Sequence, residues 1–212
     1  MSMNNLKKVP LAGAAVAATV GTAEAARRKG AQKLISRIKD ESAEVRTKAW
    51  QQAGEVGAPA VRPLAKVMMD ENLEVARAAK RALWKIVRVA GAPGAGKQKT
   101  AVVGRLIKLL NDDQPVAVRR EVLWMLSEIG GRNSIRPIAE SMENDELCED
   151  ARMALERIPI KGAVKALKAA FEQVPEKFKP NIAQSLRKRG EKVAGYPCQK
   201  LIPKKKTDVK PL

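Results

Sequence analysis

Apolar residues recur along this chain in two interleaved series. One is a set of pairs spaced i, i+4: Leu34/Ile38, Leu64/Met68, Leu106/Leu110, Ile138/Met142 and Leu167/Phe171. The other is a set of triplets spaced i, i+4, i+7: Ala49/Ala53/Val56, Ala79/Leu83/Ile86, Val122/Leu126/Ile129 and Ala151/Leu155/Ile158, continued by Ile182/Leu186. Such spacing puts one apolar stripe on a helix. The first series returns at intervals of 30, 42, 32 and 29 residues, and recurrence at a period of this size predicts a helical-repeat architecture.

The polar positions divide the repeats. Between the two series stands an acidic turn, Asp40-Glu41, Asp70-Glu71, Asp112-Asp113 or Asn144-Asp145, whose Asp and Asn can cap the second helix. After the second helix comes a breaker, Gly57, Gly91, Gly130-Gly131 or Gly162. The next helix opens as Val61-Arg62-Pro63-Leu64 or Ile135-Arg136-Pro137-Ile138. Proline is tolerated there because first-turn amides have no intrahelical acceptor. A single helix pair cannot bury its apolar face, and stacked neighbours bury it jointly. The prediction is an all-α, right-handed α-solenoid of about five helix pairs over residues 26–190.

The units resemble HEAT-like repeats of the phycobilisome-lyase type, within the armadillo-like class. Glu44-Val45-Arg46 through Val56-Gly57 to Leu64 carries that pattern, as does Val118-Arg119 through Glu128-Ile129-Gly130 to Ile138. The resemblance covers about residues 31–190 and implies a fold; its repeat serves many tasks. Three activities of related families can be set against the residues. The deoxyhypusine hydroxylase family binds iron through His-Glu motifs, which a chain without histidine cannot supply. The phycobilin-lyase reading has no matching residue here. Helical nucleic-acid glycosylases read DNA through a basic face with aromatic residues, which bears on the charge pattern below.

The absence of histidine also removes His-based acid–base catalysis, Ser-His and Cys-His nucleophile pairs and the commonest metal ligand. Cys148 and Cys198 are too few for a Cys/His zinc site; they are either two thiols or one disulfide. Neither a cofactor nor a metal is expected. No run reaches the roughly 18 apolar residues of a membrane span.

Net charge is +18, unevenly spread. Residues 40–74 are net −3 and residues 112–160 net −5, whereas residues 75–111 hold nine basic side chains and no acidic one. Excess positive charge favours a polyanionic partner such as nucleic acid, an acidic polymer or an acidic lipid surface. Within the basic window Arg77, Arg81, Trp84 and Arg88 follow one helical face, with Lys85 beside them and Lys97 and Lys99 further on. This is the mixture for phosphate contact plus stacking; the alternative is a solvated outer face. Trp50 and Trp124 occupy different positions in their repeats and are read as packing residues.

Gly91-Ala92-Pro93-Gly94-Ala95-Gly96-Lys97 matches the first seven positions of a P-loop. The eighth needs Ser or Thr for Mg²⁺ and is Gln98, while Trp84–Val89 before it belongs to the helical series. The motif falls in the one long repeat, so it is read as a Gly/Pro insertion at about 90–100 that lengthens the loop.

Residues 1–25 have the layout of a secretory signal peptide: Lys7-Lys8, an apolar run from Val9 to Thr22, then Ala23-Glu24-Ala25. The alternative is a flexible N-terminal arm. Residues 191–212, with Pro197, Pro203, Pro211 and Lys204-Lys205-Lys206, read as a basic disordered tail. Taken together the residues point to a non-enzymatic scaffold that binds a partner protein along a curved helical surface. The second reading is a binder of nucleic acid or another polyanion through the basic strip, and the third an accessory enzyme. Export is the expected localisation, with a cytoplasmic location as the alternative.

Overall fold

Each apolar series lands on a helix, with Met68 and Ile158 just past their helix ends and Met142 in the 3₁₀ turn after its helix. The computed structural model describes the backbone of residues 13–111 and 113–197, and side chains from residue 25 onward within them. The leader features before residue 13, Asp112 of the third acidic turn, Cys198 and the lysine run at 204–206 therefore lie outside the described residues. Among the described residues there are ten α-helices and no strand: α1 Gly13–Ile38, α2 Ala43–Val56, α3 Val61–Val67, α4 Leu73–Gly91, α5 Gly96–Asn111, α6 Val116–Ile129, α7 Ile135–Glu140, α8 Cys148–Arg157, α9 Lys161–Gln173 and α10 Lys179–Lys188. The fold is all-α and repeat-like. No described helix is long and apolar enough to cross a membrane.

The chain divides into two compact units between Ile129 and Gly130. In unit 1 the pairs α1–α2, α3–α4 and α5–α6 pack hairpin-fashion, and α2, α4 and α6 stack as one layer while α1, α3 and α5 form the other. Unit 2 is built the same way from α7–α8 and α9–α10, with α7 against α9 and α8 against α10. The i, i+4 pairs supply the buried side of one layer: Leu34, Ile38, Leu64, Leu106, Leu110, Ile138 and Leu167 are all buried. The triplets supply the other through Ala49, Ala53, Ala79, Leu83, Ile86, Leu126, Ala151 and Leu155.

Small residues set how closely the second helices approach. A Cβ on Gly54 of α2 would stand 2.6 Å from Val89 Cγ2 of α4. That contact is shorter than packed carbon atoms tolerate, so glycine is what lets these two helices touch.

The acidic turns work differently from the capping role expected of them. Asp40 accepts a hydrogen bond from the Ser42 amide at 2.9 Å, and Asp70 from the Asn72 amide at 3.2 Å. The caps themselves are the residues two further on. Ser42 Oγ accepts from Val45 N, and Asn72 Oδ1 from Glu74 N and Val75 N. The carboxylate thus holds the cap residue, and the cap residue holds the helix. Lys39 reaches across to Asp70 at 2.8 Å, and this contact, foremost among its causes, keeps the Asp70 carboxyl below its ordinary range. Val61 and Ile135 begin their helices after single 3₁₀ turns, Ala58–Ala60 and Arg132–Ser134, and Pro63 and Pro137 sit in the first helical turn as expected.

The long repeat departs from the expected loop. Irregular backbone is confined to the segment between Gly91 and Gly96; the remaining extra residues lengthen α4 to 19 residues and α5 to 16, against 14 in α2 and 7 in α3. The glycine-rich segment joins two helices. Helix formers such as Arg88 and Ala90 on one side and Lys97, Gln98 and Lys99 on the other carry helical structure almost to the glycines.

Candidate functional site

The second half of α4 and the length of α5 border a groove in unit 1. The groove, of about 1060 Å³, runs between the end of α2, the second half of α4 and α5, with Arg27 of α1 at its edge. Gly54, Gly57, Ala58, Ala101 and Gly104 line it alongside the charged residues, so little side-chain bulk fills it. Five cations surround it: Arg27, Lys85, Lys97, Arg105 and Lys108, against one acid, Glu55. Among the described residues none of the five is ion-paired. On α5 the row Lys97, Ala101, Arg105, Lys108 follows i, i+4, i+8, i+11, one face of a helix.

The groove is held open by Gln98, which stands where a P-loop would carry Ser or Thr. Its Nε2 donates to the Gly54 carbonyl at 3.1 Å, tying the first turn of α5 to the end of α2. Gly57 lies directly against this side chain, with φ +68°; an added Cβ would meet Gln98 Nε2 at 3.1 Å.

A second groove, of about 420 Å³, lies between α2 and α4 and is lined by Trp50, Arg77, Lys80, Arg81, Trp84, Lys85 and Arg88. Lys85 borders both grooves. Arg81 stands over the Trp50 ring at 6.0 Å from its centroid, and Arg88 over Trp84 at 5.9 Å, within the range of cation–π attraction. The two indole N–H groups differ. Trp84 Nε1 donates to Glu121 of α6 at 2.5 Å, and Glu121 also pairs with Lys80 at 2.6 Å. Trp50 Nε1 is buried and has no hydrogen-bond partner among the described residues.

The residues singled out in the sequence are therefore brought together only in part. Arg77, Arg81, Trp84, Lys85 and Arg88 line one groove. Lys97 lies in the other, and Lys99 is exposed and lines neither. Arg77 is matched by Glu74 at 2.7 Å, one residue before the acid-free window, and Lys80 by Glu121, beyond its end. Trp50, read from sequence as packing, borders the second groove. Arg27, Arg105 and Lys108 were missed; the helical spacing i+8 and i+11 from Lys97 would have found the last two.

Unit 2 is polar in another way. Arg152 donates to Glu149 and Glu156, and Ser185 and Lys188 also bind Glu156. Burial would raise the Glu156 carboxyl, but hydrogen bonds from Lys188 and Ser185 and the charges around it leave it below the ordinary range. Cys148 is a buried free thiol. Burial, helped by Glu149 and Asp145, pushes its pKa up to about 11. At neutral pH it is a small apolar group and a poor nucleophile.

No family model and no curated protein sequence matches this chain. Among solved structures it is similar to a designed armadillo repeat protein in complex with the peptide (KR)4, at 21% identity over 73% of this chain and 80% of that one, with a TM-score of 0.40.

Proposed function

We propose that this protein is a non-enzymatic binding scaffold whose first unit holds an acidic segment of a partner protein in the groove between α2, α4 and α5. The observation that carries this reading is the cation set Arg27, Lys85, Lys97, Arg105 and Lys108 around one glycine- and alanine-lined groove, un-ion-paired among the described residues. Unpaired like charges gathered in a cleft raise the local concentration of an anionic partner. The small groove residues leave depth for a polypeptide, and Gln51, Gln98 and Thr100 at its walls offer hydrogen-bonding groups for a backbone. The HEAT-like assignment of the repeats rests on the two apolar series and the Arg-Pro opening of α3 and α7. The reading as a non-enzyme rests on the histidine-free sequence and on the helix–turn–helix setting of the P-loop-like segment.

Binding should depend on salt. A chain carrying Lys97→Gln, Arg105→Gln and Lys108→Gln is expected to bind a fluorescein-labelled acidic peptide at least tenfold more weakly than the parent at about 50 mM salt, with the two converging near about 500 mM as screening shortens to a few ångströms. Fluorescence anisotropy measures this directly. Equal affinity of parent and variant at low salt would sink the proposal. The second reading, a nucleic-acid binder, draws on Trp50 and Trp84 among the cations of the second groove; single-stranded and duplex DNA titrated alongside decide between the two.

Export belongs to the same proposal, supported by Lys7-Lys8, the apolar run and Ala23-Glu24-Ala25. The mature chain from a native-type host should begin at or near Ala26 on N-terminal sequencing, and a start at Met1 or Ser2 contradicts it.

A further inference from the structure

The indole of Trp50 poses a problem that the free chain does not solve. An indole N–H is a donor only, and a buried donor left without an acceptor is destabilising. The contrast with Trp84, whose N–H is satisfied by Glu121, sharpens it. Both rings border the same groove, on facing helices, and each has an arginine above it. Only Trp50 is left without an acceptor among the described residues. Arg81, the arginine over Trp50, is exposed and is not ion-paired among the described residues.

We propose that Trp50 Nε1 and Arg81 form a carboxylate-binding anchor, and that the acidic partner segment held by the first groove runs on past Lys85, which borders both grooves, into the α2–α4 groove in extended form. The N–H is closed off in the free chain. The carboxylate reaches it as the Arg81 side chain lifts off the indole to pair with the incoming charge, so one carboxylate satisfies an orphan donor and an unpaired guanidinium together. The spacing of the row suits an extended polypeptide. Arg77, Arg81 and Lys85 are four residues apart, about 6 Å at 1.5 Å per residue. In an extended chain every second side chain points the same way, about 6.6 Å apart. An acidic residue at alternate positions therefore meets one cation after another.

A nucleic-acid strand fits this groove less well. Bases would have to displace both Arg81 and Arg88 to stack on the two rings, whereas a carboxylate needs only Arg81 to move.

This inference rests on the acidic-partner reading, and one experiment separates the two. A fluorescein-labelled octapeptide of alternating Glu and Ser is titrated into the full chain, into Trp50→Phe and into Arg81→Gln, with melting temperatures measured for each. Phenylalanine keeps a six-membered aromatic ring and removes the donor together with the five-membered ring that carries it. The expected result is about tenfold weaker binding by Trp50→Phe, the size of one charge-assisted hydrogen bond. Its melting temperature is the control: relief of the orphan donor and loss of the smaller ring's contacts oppose one another, and among the described residues there is no hydrogen bond there to lose. Arg81→Gln, an exposed change, should weaken binding comparably even if Trp50→Phe fails to fold. Unchanged affinity in either folded variant overturns the anchor and leaves the acidic-partner reading standing. Absence of peptide binding by the parent overturns both. Tighter binding of a single-stranded DNA of equal charge at the same salt also overturns the anchor, in favour of a nucleic-acid partner.

Discussion

Replacing Arg189 by alanine is expected to lower the unfolding free energy by about 3 kcal/mol, the largest loss from any single side chain outside the apolar core. Arg189 follows α10, and its half-buried guanidinium turns back onto the end of α8. It donates to the carbonyls of Glu156 at 2.8 Å and Ile158 at 2.6 Å, with longer contacts to Leu155 and Ile160 at 3.4 Å. The carbonyls of Leu155 and Glu156 belong to the last turn of α8, where no further amide of the same helix can reach them, while those of Ile158 and Ile160 also accept from the amides of Ile160 and Ala163. A guanidinium is suited to the place: its charge opposes the negative end of the helix dipole, and its fork serves several oxygens at once. Truncation removes the donors and leaves the Leu155 and Glu156 carbonyls behind, the costly direction of the exchange. Arg189→Lys should recover less than half the loss, since an ammonium on a flexible stem cannot span the same set. Urea denaturation of the full chain followed by circular dichroism measures both. An unchanged midpoint in the alanine variant contradicts the capping role.

Gly57→Ala is expected to cost about 2–3 kcal/mol for two reasons that add. With φ +68° and ψ −141° the residue occupies backbone space that side chains rarely enter, and forcing an L-residue there costs of order 1–3 kcal/mol. Its new Cβ also meets Gln98 Nε2 at 3.1 Å, which strains the hydrogen bond tying α5 to α2. The same change elsewhere should have the opposite sign. Gly104 lies inside α5 with nothing within 4 Å of an added Cβ. There alanine should stabilise by about 0.5–1 kcal/mol through helix propensity alone. Thermal and urea unfolding of the two variants side by side tests the argument. If both lose stability alike, backbone conformation is not what Gly57 supplies. Because Gly57 and Gln98 wall the basic groove, Gly57→Ala should also weaken acidic-peptide binding under conditions where the variant is still folded.

How far the chain could be read beforehand depended on how local each property was. Leu34/Ile38 through Ile182/Leu186 marked all five helix pairs, because helical periodicity is written into residues three and four apart and needs no knowledge of the partner. The placing of Pro63 and Pro137 in first turns is local in the same sense. The basic window was also legible, and Arg77, Arg81, Trp84, Lys85 and Arg88 do share one groove.

The tertiary structure decided which charges survive and what they surround. Glu121 comes from 37 positions beyond Trp84 to take its N–H, and no count within the acid-free window includes it. Trp50 became a groove residue because Gly54 lets α2 close on α4, bringing the indole under Arg81. The extra length of the long repeat went into α4 and α5, since the residues flanking the glycines keep their helical preference, and that extension set Lys97, Arg105 and Lys108 opposite Lys85. Arg189 found its carbonyls about thirty positions back along the chain only because α10 stacks on α8. Spacing along the sequence determines which face of a helix a residue occupies. Which face of which other helix it meets is settled by packing, where steric fit and the pairing of buried polar groups act between segments far apart in the chain.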